Sequence, residues 1–341
     1  MRSCRTLLFS FLLVLYGKAP AQVPENIVFE GAGIRGLAYS GVIAELEAQG
    51  VLKNVKRVAG TSAGAITALM LCLDYKADEI AHVIQQTQFQ KFNSGRFFFL
   101  GGMHRMNRYF GWYRGRRFEQ WLDALIKAKT GNADITFAGL KERGHKDLYV
   151  TGTDLTLQKA VLFSYETFPQ MRIRDAVRIS MSIPLYFEAV FLKNDGTVVA
   201  HPKHKKDLHV LVDGGFVANF PIRVFDSTRY TDTASVNKFA INHRTIGIRI
   251  DSEAQRQADS TGAGLVPLPV TTLKQYVTAF YTIVLENLNR QPLTHDDWQR
   301  TVSVSDGGIG PRIKRLQKKE ADLLIQNGRS ATAIFLNSRP H

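Results

Sequence analysis

Residues 55–71 read VKRVAGTSAGAITALML, and the five central residues are Gly60, Thr61, Ser62, Ala63 and Gly64. The residues before them are typical of a short strand, and those after them are typical of a buried helix. The central five have the G-x-S-x-G form, in which a serine sits on a sharp strand-to-helix turn with its hydroxyl exposed for attack. The small neighbours Gly60, Ala63 and Gly64 would leave that hydroxyl uncrowded. An ordinary glycine-rich turn fits the same five residues equally well.

A second glycine-rich loop follows the strand-like residues 27–30 and precedes a helical pattern from Leu37 to about Gln49. The loop consists of Gly31, Ala32, Gly33, Ile34, Arg35 and Gly36. A G-x-G-x-x-G loop after a strand indicates dinucleotide binding when the next strand ends in a carboxylate that holds the ribose. Here the next strand ends at Gly60 without one. We therefore favour an anion-binding role, in which exposed N–H groups hold the oxyanion formed by attack of Ser62.

A serine nucleophile needs an adjacent base, and the sequence offers two kinds. An α/β-hydrolase would supply a histidine after an acidic residue. None of the nine histidines has a glycine-flanked setting that suggests catalysis, and His201, His204 and His209 fall in a basic stretch typical of a solvated loop. Asp213 instead follows an apolar strand pattern and precedes Gly214 and Gly215. A tight Asp-Gly turn explains that triplet as well as a catalytic carboxylate does.

The three motifs, in this order and spacing, resemble those of the patatin-like phospholipases. Other segments are similar to the same family, so the resemblance runs from about Asn26 to Phe220 and more weakly to the end. These further segments are Thr153-Asp154-Leu155, residues 161–164, residues 176–184 and Asn219-Phe220-Pro221.

The resemblance implies a Ser-Asp dyad without histidine. Ser62 matches the nucleophile and Asp213 the general base, while the N–H groups of residues 31–33 match the oxyanion hole, with Arg35 near its rim. The sequence departs from the commonest pattern in having Glu30 in place of aspartate and Ala32 in place of glycine. A methyl group at position 32 is tolerable if the backbone φ there is negative.

The first 21 residues have the form of a secretory signal peptide. A basic start precedes an apolar core over residues 6–16, and Ala19-Pro20-Ala21 offers a small-x-small cleavage site. The apolar run is shorter than the ~20 residues that span a bilayer, although an uncleaved anchor is the alternative. We therefore expect cleavage after Ala21 and a secreted or periplasmic bacterial member of the family.

Charge and cysteine content narrow the function further. The chain carries a net charge of +14, to which the leader contributes Arg2, Arg5 and Lys18. A basic chain can favour anionic membranes or nucleic acid, but no nucleic-acid-binding module is recognisable. With Cys4 in the leader, Cys72 is the one thiol of the mature chain, and we expect it to be a small buried residue. We expect no metal or other cofactor.

Aromatic and arginine residues are interleaved between residues 96 and 118. One interpretation is a lid or interfacial surface that places aromatics in lipid and arginines against phosphates. The other is a helical insertion that packs its aromatics onto the core and leaves solvated arginines outside. The second is favoured here, because scattered apolar residues are normal on protein surfaces.

Together these observations predict an α/β protein, a three-layer α/β/α sandwich with a mostly parallel central sheet and both glycine loops at one edge. A single domain would follow the leader over residues 22–341, with core motifs at 26–225 and a closing part at 270–341. In that part we expect a helix at 273–290, a strand at 300–304 and a helix at 318–326 that ends at Asn327-Gly328.

The predicted function is a serine lipid acyl hydrolase of phospholipase A or lysophospholipase type. Its substrate would be a lipid or phospholipid taken at a membrane surface, with no nucleic acid and no obligate protein partner. A Ser-His-Asp esterase and a non-catalytic lipid-binding domain are the alternatives.

Overall fold

The structure, a computed structural model, describes residues 23–93, 98–231, 239–288, 293–310 and 316–338. The predicted signal peptide and its cleavage site lie outside these ranges, and the division into leader and single domain stays a prediction. Within the described ranges, no helix combines the length and the apolar character that crossing a bilayer requires.

The described chain alternates strands and helices along most of its length. The strands are β1 (Asn26–Phe29), β2 (Arg57–Gly60), β3 (Gly111–Tyr113), β4 (Asp147–Asp154), β5 (Lys159–Phe163), β6 (Leu185–Phe187), β7 (Val190–Leu192), β8 (Val198–Val199), β9 (His209–Asp213), β10 (Thr245–Asp251) and β11 (Thr301–Ser305). The α-helices are α1 (Ala38–Ala48), α2 (Ala63–Cys72), α3 (Ala77–Gln86), α4 (Phe98–Tyr109), α5 (Arg116–Thr130), α6 (Phe137–Glu142), α7 (Ile173–Ser180), α8 (Gly215–Ala218), α9 (Glu253–Thr261), α10 (Leu273–Tyr281), α11 (His295–Gln299) and α12 (Lys318–Ser338). Short 3₁₀ turns cover Gly33–Leu37, Val51–Asn54, Phe89–Phe92 and Ile222–Phe225.

The central sheet has the order β11-β10-β1-β2-β4-β9-β7-β8 in the described part of the chain, with β5 also paired to β4. Neighbouring strands from β11 to β4 are parallel, whereas β5 and β9 run antiparallel to β4. The expected α/β architecture with a mostly parallel central sheet is therefore confirmed. Because β1 and β2 are parallel neighbours with Phe29 opposite Gly60, the loops that follow them lie at the same edge.

Both faces of the central strands are buried, which explains why these strands are almost continuously apolar. Ile27 and Phe29 of β1 pack into the larger core cluster with α1 and α2, while Val28 between them joins a smaller cluster on the other face. That second cluster contains Phe220 and the 3₁₀ turn Ile222–Phe225. One covering layer is thus built from long helices, and part of the other is built from a short turn.

The last helix differs from expectation, because Gly328 lies inside α12 and does not end it. A Cβ atom on Gly328 would collide with the carbonyl oxygen of Ala38 in α1, and one on Gly41 would collide with the carbonyl oxygen of Ile325. These two glycines therefore let α1 and α12 cross with their backbones in contact. The glycine that looked like a helix stop serves helix packing.

Two other segments also depart from the sequence prediction. The helix expected at residues 273–290 ends as an α-helix at Tyr281 and continues as a π-helix over Thr282–Asn287, while residues 289 and 290 are outside the described ranges. The strand expected at 300–304 is present one residue later, as β11.

The aromatic and arginine-rich stretch is mostly helical, and part of it packs onto the main core. Phe118 is buried in the main core, as that interpretation expects. Arg105, however, is buried and not solvated: its Nε donates to the Trp112 carbonyl at 2.7 Å. Residues 94–97 lie outside the described ranges, so the expectation for Arg96 and Phe97 is untested. Cys72 is buried as expected, and its Sγ donates to the Lys146 carbonyl at 3.0 Å.

Candidate active site

Ser62 lies between the end of β2 and the start of α2, on the sharp turn that G-x-S-x-G predicts. Its backbone has φ 53° and ψ −120°, a left-handed conformation that is strained for any residue except glycine. The Ser62 N–H donates to Oγ of Ser180 at 2.8 Å, which helps to hold this conformation. Strain of this kind is concentrated at functional sites, where surrounding structure keeps it in place.

Two of the small residues around Ser62 are required by close backbone packing. A Cβ atom on Gly64 would lie 2.5 Å from the carbonyl oxygens of both Phe29 and Glu30, and one on Gly60 would collide with the Gly64 carbonyl. These glycines therefore allow the first turn of α2 to sit against the end of β1. Thr61 anchors the same turn, since its Oγ1 donates to the Ala218 carbonyl at 2.8 Å.

The glycine-rich loop after β1 is held beside Ser62 by Asn219. The Gly31 N–H donates to the Asn219 carbonyl at 3.0 Å, and Nδ2 of Asn219 donates to the Gly31 carbonyl at 3.1 Å. A Cβ atom on Gly31 would lie 3.3 Å from the Cβ of Ser62, so the absence of a side chain at Gly31 lets the two loops approach closely. Because its own N–H is committed to Asn219, Gly31 fixes the position of the loop and is not a free donor.

Two N–H groups of the loop remain available to a ligand. The carbonyl and N–H of a planar trans peptide point in opposite directions. Asn219 holds the Gly31 carbonyl, and Nε of Arg35 holds the Ala32 carbonyl at 3.2 Å, so the next N–H groups, on Ala32 and Gly33, point away from these clamps. Within the described ranges neither N–H has a recorded hydrogen-bond partner. Ala32 has φ −135°, which accommodates its methyl group as required, whereas Gly33 has φ +55°.

The last three residues of the glycine-rich loop lie on two sides of it, two towards the cavity and one away from it. Ile34 and Gly36 line the cavity beside Ser62. Arg35, which we expected near the rim of the oxyanion hole, is buried behind the loop, with Nη1 3.9 Å from Oδ2 of Asp306. Its role in this position is to hold the Ala32 carbonyl.

Glu30 extends the support of the loop into the sheet. Its buried carboxylate lies 2.9 Å from Nη2 of Arg249 and accepts hydrogen bonds from the Ile250 N–H at 3.2 Å and Nδ2 of Asn219 at 3.4 Å. The residue that departs from the common family pattern is therefore part of a buried ionic network directly below the glycine-rich loop.

Asp213 reaches the same edge at the end of β9, which pairs with β4 through Gly152. Its N–H donates to the Ser182 carbonyl at 2.9 Å, and its Oδ1 accepts from the Gly215 N–H at 2.7 Å. The Asp-Gly turn is therefore present, with Gly214 as the N-cap of the short helix α8. The Ser62 side chain is close enough to lower the pKa of this carboxylate, so the turn and the proximity to the serine occur together.

The environment of Asp213 makes its carboxylate a stronger base than a solvated aspartate. Burial raises the pKa of Asp213 to about 7, although the hydrogen bond from the Gly215 N–H and the nearby Ser62 side chain act to lower it. The Ser62 hydroxyl also lies 3.2 Å from the sulfur of Met181, a weak acceptor. The carboxylate is therefore the stronger acceptor for the Ser62 proton.

An apolar cavity of about 100 Å³ opens beside Ser62. Its wall combines the glycine-rich loop with side chains from several helices and from β6. The lining residues are Gly33, Ile34, Gly36, Leu37, Ser62, Ala63, Ile66, Thr67, Ile84, Phe89, Phe92, Phe118, Met181, Ile183, Tyr186 and Phe187. Such a cavity suits a hydrocarbon chain whose polar end stays near Ser62.

Histidines do not enter this site in the described part of the chain. None lines the cavity, and His209 and His201 hydrogen-bond to Asp154 at 2.7 Å and to Glu188 at 3.1 Å. Within the same ranges, no cluster of three or more His, Cys, Asp or Glu side chains has an arrangement that could hold a metal ion.

Three supporting residues escaped the sequence reasoning, namely Ser180, Met181 and Asn219. All three lie in segments that were noted for their family resemblance, residues 176–184 and 219–221, but no role followed from residue type or spacing. Their contacts depend on α7 and α8 being packed against β4 and β9, which local sequence does not reveal.

Comparison with known proteins finds relatives in sequence and in fold. The chain is 35% identical over 213 residues to the uncharacterised protein YqhO of Bacillus subtilis, covering 59% of this chain and 67% of that relative. It is 24% identical over 201 residues to the probable lipid hydrolase 463L of invertebrate iridescent virus 6, covering 59% and 62%. Among solved structures, VipD from Legionella pneumophila shares the fold, with a TM-score of 0.56 at 15% identity over 93% of this chain and 67% of that one.

The match to a family model extends over most of the site described above. A model described as patatin-like phospholipase matches residues 27–226, a range that contains the glycine-rich loop, Ser62 and Asp213. This range is more than half of the chain, and the chain belongs to the patatin-like phospholipase family.

Proposed function

We propose that this protein is a serine lipid acyl hydrolase of phospholipase A or lysophospholipase type, with Ser62 and Asp213 as its catalytic dyad. Family membership and the similarity to a probable lipid hydrolase support a lipid-hydrolysing enzyme. The observation that carries the finer proposal is the contact between Ser62 and a buried carboxylate with a pKa near 7, at the mouth of an apolar cavity.

In the first half of the reaction, Oγ of Ser62 attacks the carbonyl carbon of the ester while Asp213 accepts the hydroxyl proton. The negative charge that develops on the carbonyl oxygen is stabilised by the N–H groups of Ala32 and Gly33. When the tetrahedral intermediate collapses, the carbon–oxygen bond to the alcohol breaks and Asp213 returns the proton to the alkoxide. The acyl group is left as an ester on Ser62.

In the second half, Asp213 accepts a proton from a water molecule that attacks the acyl carbon. Collapse of the second intermediate breaks the bond to Ser62, which regains its proton from Asp213. The fatty acid is released and the dyad returns to its starting state. Each half uses the same two donors of the glycine-rich loop, because the oxyanion forms at the same place.

The apolar lining of the cavity supports an acyl substrate over a small polar one. Its walls include Ile66, Phe92 and Phe118, which offer apolar contact along a hydrocarbon chain and few hydrogen bonds. With the acyl chain in the cavity, the ester carbonyl would lie beside Ser62 and the alcohol portion would point towards solvent.

The two alternatives have less support. A histidine-dependent esterase would need an imidazole near Ser62, and the described side chains at Ser62 include Met181 and Asp213 but no histidine. A binding domain without turnover would not require a strained serine beside a carboxylate of raised pKa. We also propose export of the mature chain, supported by the leader-like residues 1–21.

Hydrolysis of a short-chain p-nitrophenyl ester and of phospholipid vesicles, measured in the presence of EDTA, tests the proposal. The wild-type protein should hydrolyse both, Ser62→Ala should hydrolyse neither, and the controls His201→Ala and His209→Ala should retain activity. Loss of activity in a histidine variant that is correctly folded would favour the triad. A wild-type protein that is inactive and does not react with a fluorophosphonate would favour the binding domain.

A further inference from the structure

Four large apolar side chains project into solvent next to the cavity. Leu100 and Met103 on α4 are 76% and 49% exposed, Phe110 after α4 is 41% exposed, and Leu185 at the start of β6 is 65% exposed. We call these four residues, together with the neighbouring Arg108, Lys203, Lys205 and Lys206, the arm surface. Single exposed apolar residues are common, but several together beside a site indicate an interaction.

The outward position of the α4 residues follows from how the helix packs. Gly102 faces the Trp112 ring so closely that a Cβ atom would lie 2.5 Å from it, and the buried Arg105 side chain donates to the Trp112 carbonyl. With this side turned towards β3, Leu100, Met103 and Arg108 are left on the solvent side. The apolar residues of α4 are therefore not a core face that merely lacks its neighbours.

Phe110 and Leu185 are held out in an unfavourable backbone conformation. Both have positive φ, 64° and 68°, where a bulky side chain is an outlier. They are close together, because Leu185 pairs with Gly111, the residue after Phe110. Two strained, exposed apolar residues side by side cost stability in water, and strain of this kind is typical of functional positions.

A basic loop adjoins these apolar residues. Nζ of Lys205 donates to the Arg108 carbonyl and lies 4.5 Å from the centre of the Phe110 ring, which fixes the loop against the end of α4. The neighbouring Lys203 and Lys206 are exposed, as is Arg108. Asp207 is the exposed acidic residue of this loop, so positive charge is in excess around the apolar group.

The arm surface continues into the cavity wall through β6. Leu185 is followed directly by Tyr186 and Phe187, both of which line the cavity, and the Tyr186 ring lies 5.0 Å from that of Tyr113 in β3. Strand β6 therefore begins with an exposed apolar residue and continues with two residues of the cavity wall.

We propose that the arm surface docks the protein onto a lipid bilayer that contains anionic lipids. Apolar side chains surrounded by lysine and arginine are the composition that enters the headgroup region of such a membrane. The proposal rests on the proposed function in taking the bilayer as the source of the substrate. A docked molecule would have its cavity wall next to the membrane, so an acyl chain could pass along β6 to Ser62.

Vesicle binding tests the docking surface without interference from hydrolysis if all variants carry Ser62→Ala. The protein is purified after expression of the full chain and sedimented with phosphatidylcholine vesicles that contain or lack phosphatidylglycerol. Binding should be stronger with phosphatidylglycerol and should weaken as salt is added. Leu100→Ser with Met103→Ser should lower the partition coefficient about tenfold, since two apolar contacts with lipid are lost.

A matched control is available on α12, where Leu323 and Ile334 are also exposed. Leu323→Ser with Ile334→Ser should bind vesicles as the parent does. A second arm variant, Lys203→Gln with Lys206→Gln, changes no apolar contact and should remove part of the salt-dependent binding. Docking by the arm surface is overturned if the parent does not bind, if binding ignores phosphatidylglycerol, or if the arm and control variants behave alike.

The soluble p-nitrophenyl ester separates this proposal from the proposed function. With Ser62 restored, the Leu100 and Met103 variant should hydrolyse the soluble ester at the parental rate and phospholipid vesicles more slowly. If the protein hydrolyses no ester but binds vesicles through the arm surface, the proposed function is wrong and the docking surface is supported. If the arm variant hydrolyses vesicles at the parental rate, the docking surface is overturned and the proposed function stands.

Discussion

At the scale of single residues, the proposed reaction depends on how deeply Asp213 is buried. A solvated aspartate has a pKa near 4 and is a weak base for a serine hydroxyl. Burial brings the Asp213 pKa to about 7, close to the pH at which a general base is most effective. The residue type was predictable from Asp213-Gly214-Gly215, but the pKa was not, because it depends on the packing of β9 against distant elements.

The first prediction concerns the pH profile of hydrolysis. Because Asp213 must be ionised to accept a proton, kcat/KM for a neutral ester should fall about tenfold per pH unit below about 7. Asp213→Asn should lower kcat by ~10²–10⁴ and abolish that limb of the profile. Steady-state rates between pH 5 and 9 measure both effects. If the pH profile of the Asp213→Asn variant keeps the same midpoint, the titrating group is not Asp213.

A second prediction follows from the same shift in pKa. The pKa of Asp213 is higher in the folded than in the unfolded chain, so the folded state binds the extra proton and stability falls as pH rises from about 4 to about 7. Above pH 7 the buried carboxylate costs on the order of 4 kcal/mol. Asp213→Asn should therefore stabilise the protein at pH 8 and have little effect at pH 4. Urea unfolding at both pH values measures the difference, and an equal effect at both would contradict the linkage.

Asn219 provides a third prediction, as a positioning residue. Asn219→Ala removes the side-chain bond to the Gly31 carbonyl, so the Ala32 N–H loses its fixed direction. We expect kcat to fall by ~10–10², with KM little changed, because an oxyanion-hole donor acts mainly in the transition state. Asn132→Ala, in the exposed loop after α5, is the matched control. A rise in KM at constant kcat would indicate that Asn219 acts on substrate binding instead.

At the scale of elements, hydrophobic pattern and glycine position located the parts of the chain that carry the site. The strands before Gly31 and Ser62 and the helices after them are present within one to three residues of expectation. The continuation of α12 to Ser338 was missed, because a glycine after Asn327 has the local signature of a helix end. Only the contact with α1 reveals its actual role, and that contact is between residues distant in sequence.

The fourth prediction belongs to this helix crossing. In an exposed helix, Gly→Ala stabilises by about 1 kcal/mol. At Gly328 the added methyl collides with the Ala38 carbonyl, so Gly328→Ala should destabilise by ~1–3 kcal/mol as an overpacked site. Gly310→Ala, at a loop position where a Cβ atom meets nothing within 4 Å, is the control for added volume alone and should be close to neutral. Equal unfolding midpoints for the two variants would show that the helices separate easily.

At the scale of the whole molecule, topology brings the site together. Two parallel neighbours, β1 and β2, place the glycine-rich loop and Ser62 at one edge, and β9 delivers Asp213 to it from the antiparallel side. The motifs therefore predicted that the glycine-rich loop, Ser62 and Asp213 meet at one edge of the sheet. They could not predict the clamps of Asn219 and Arg35 or the strain at Ser62, which arise from the assembled tertiary structure.

The separation of Ser62 and Asp213 in the chain also bears on how the molecule folds. Ser62 and the glycine-rich loop belong to one compact βαβ unit, whereas Asp213 lies 151 residues later, at the end of β9, which pairs with β4 and β7. Contacts between distant segments form late, because a long loop must close first. A refolding chain should therefore regain helical circular dichroism before Ser62 reacts with a fluorophosphonate. The rate at which Ser62 becomes reactive would therefore report when β9, which carries Asp213, joins the sheet.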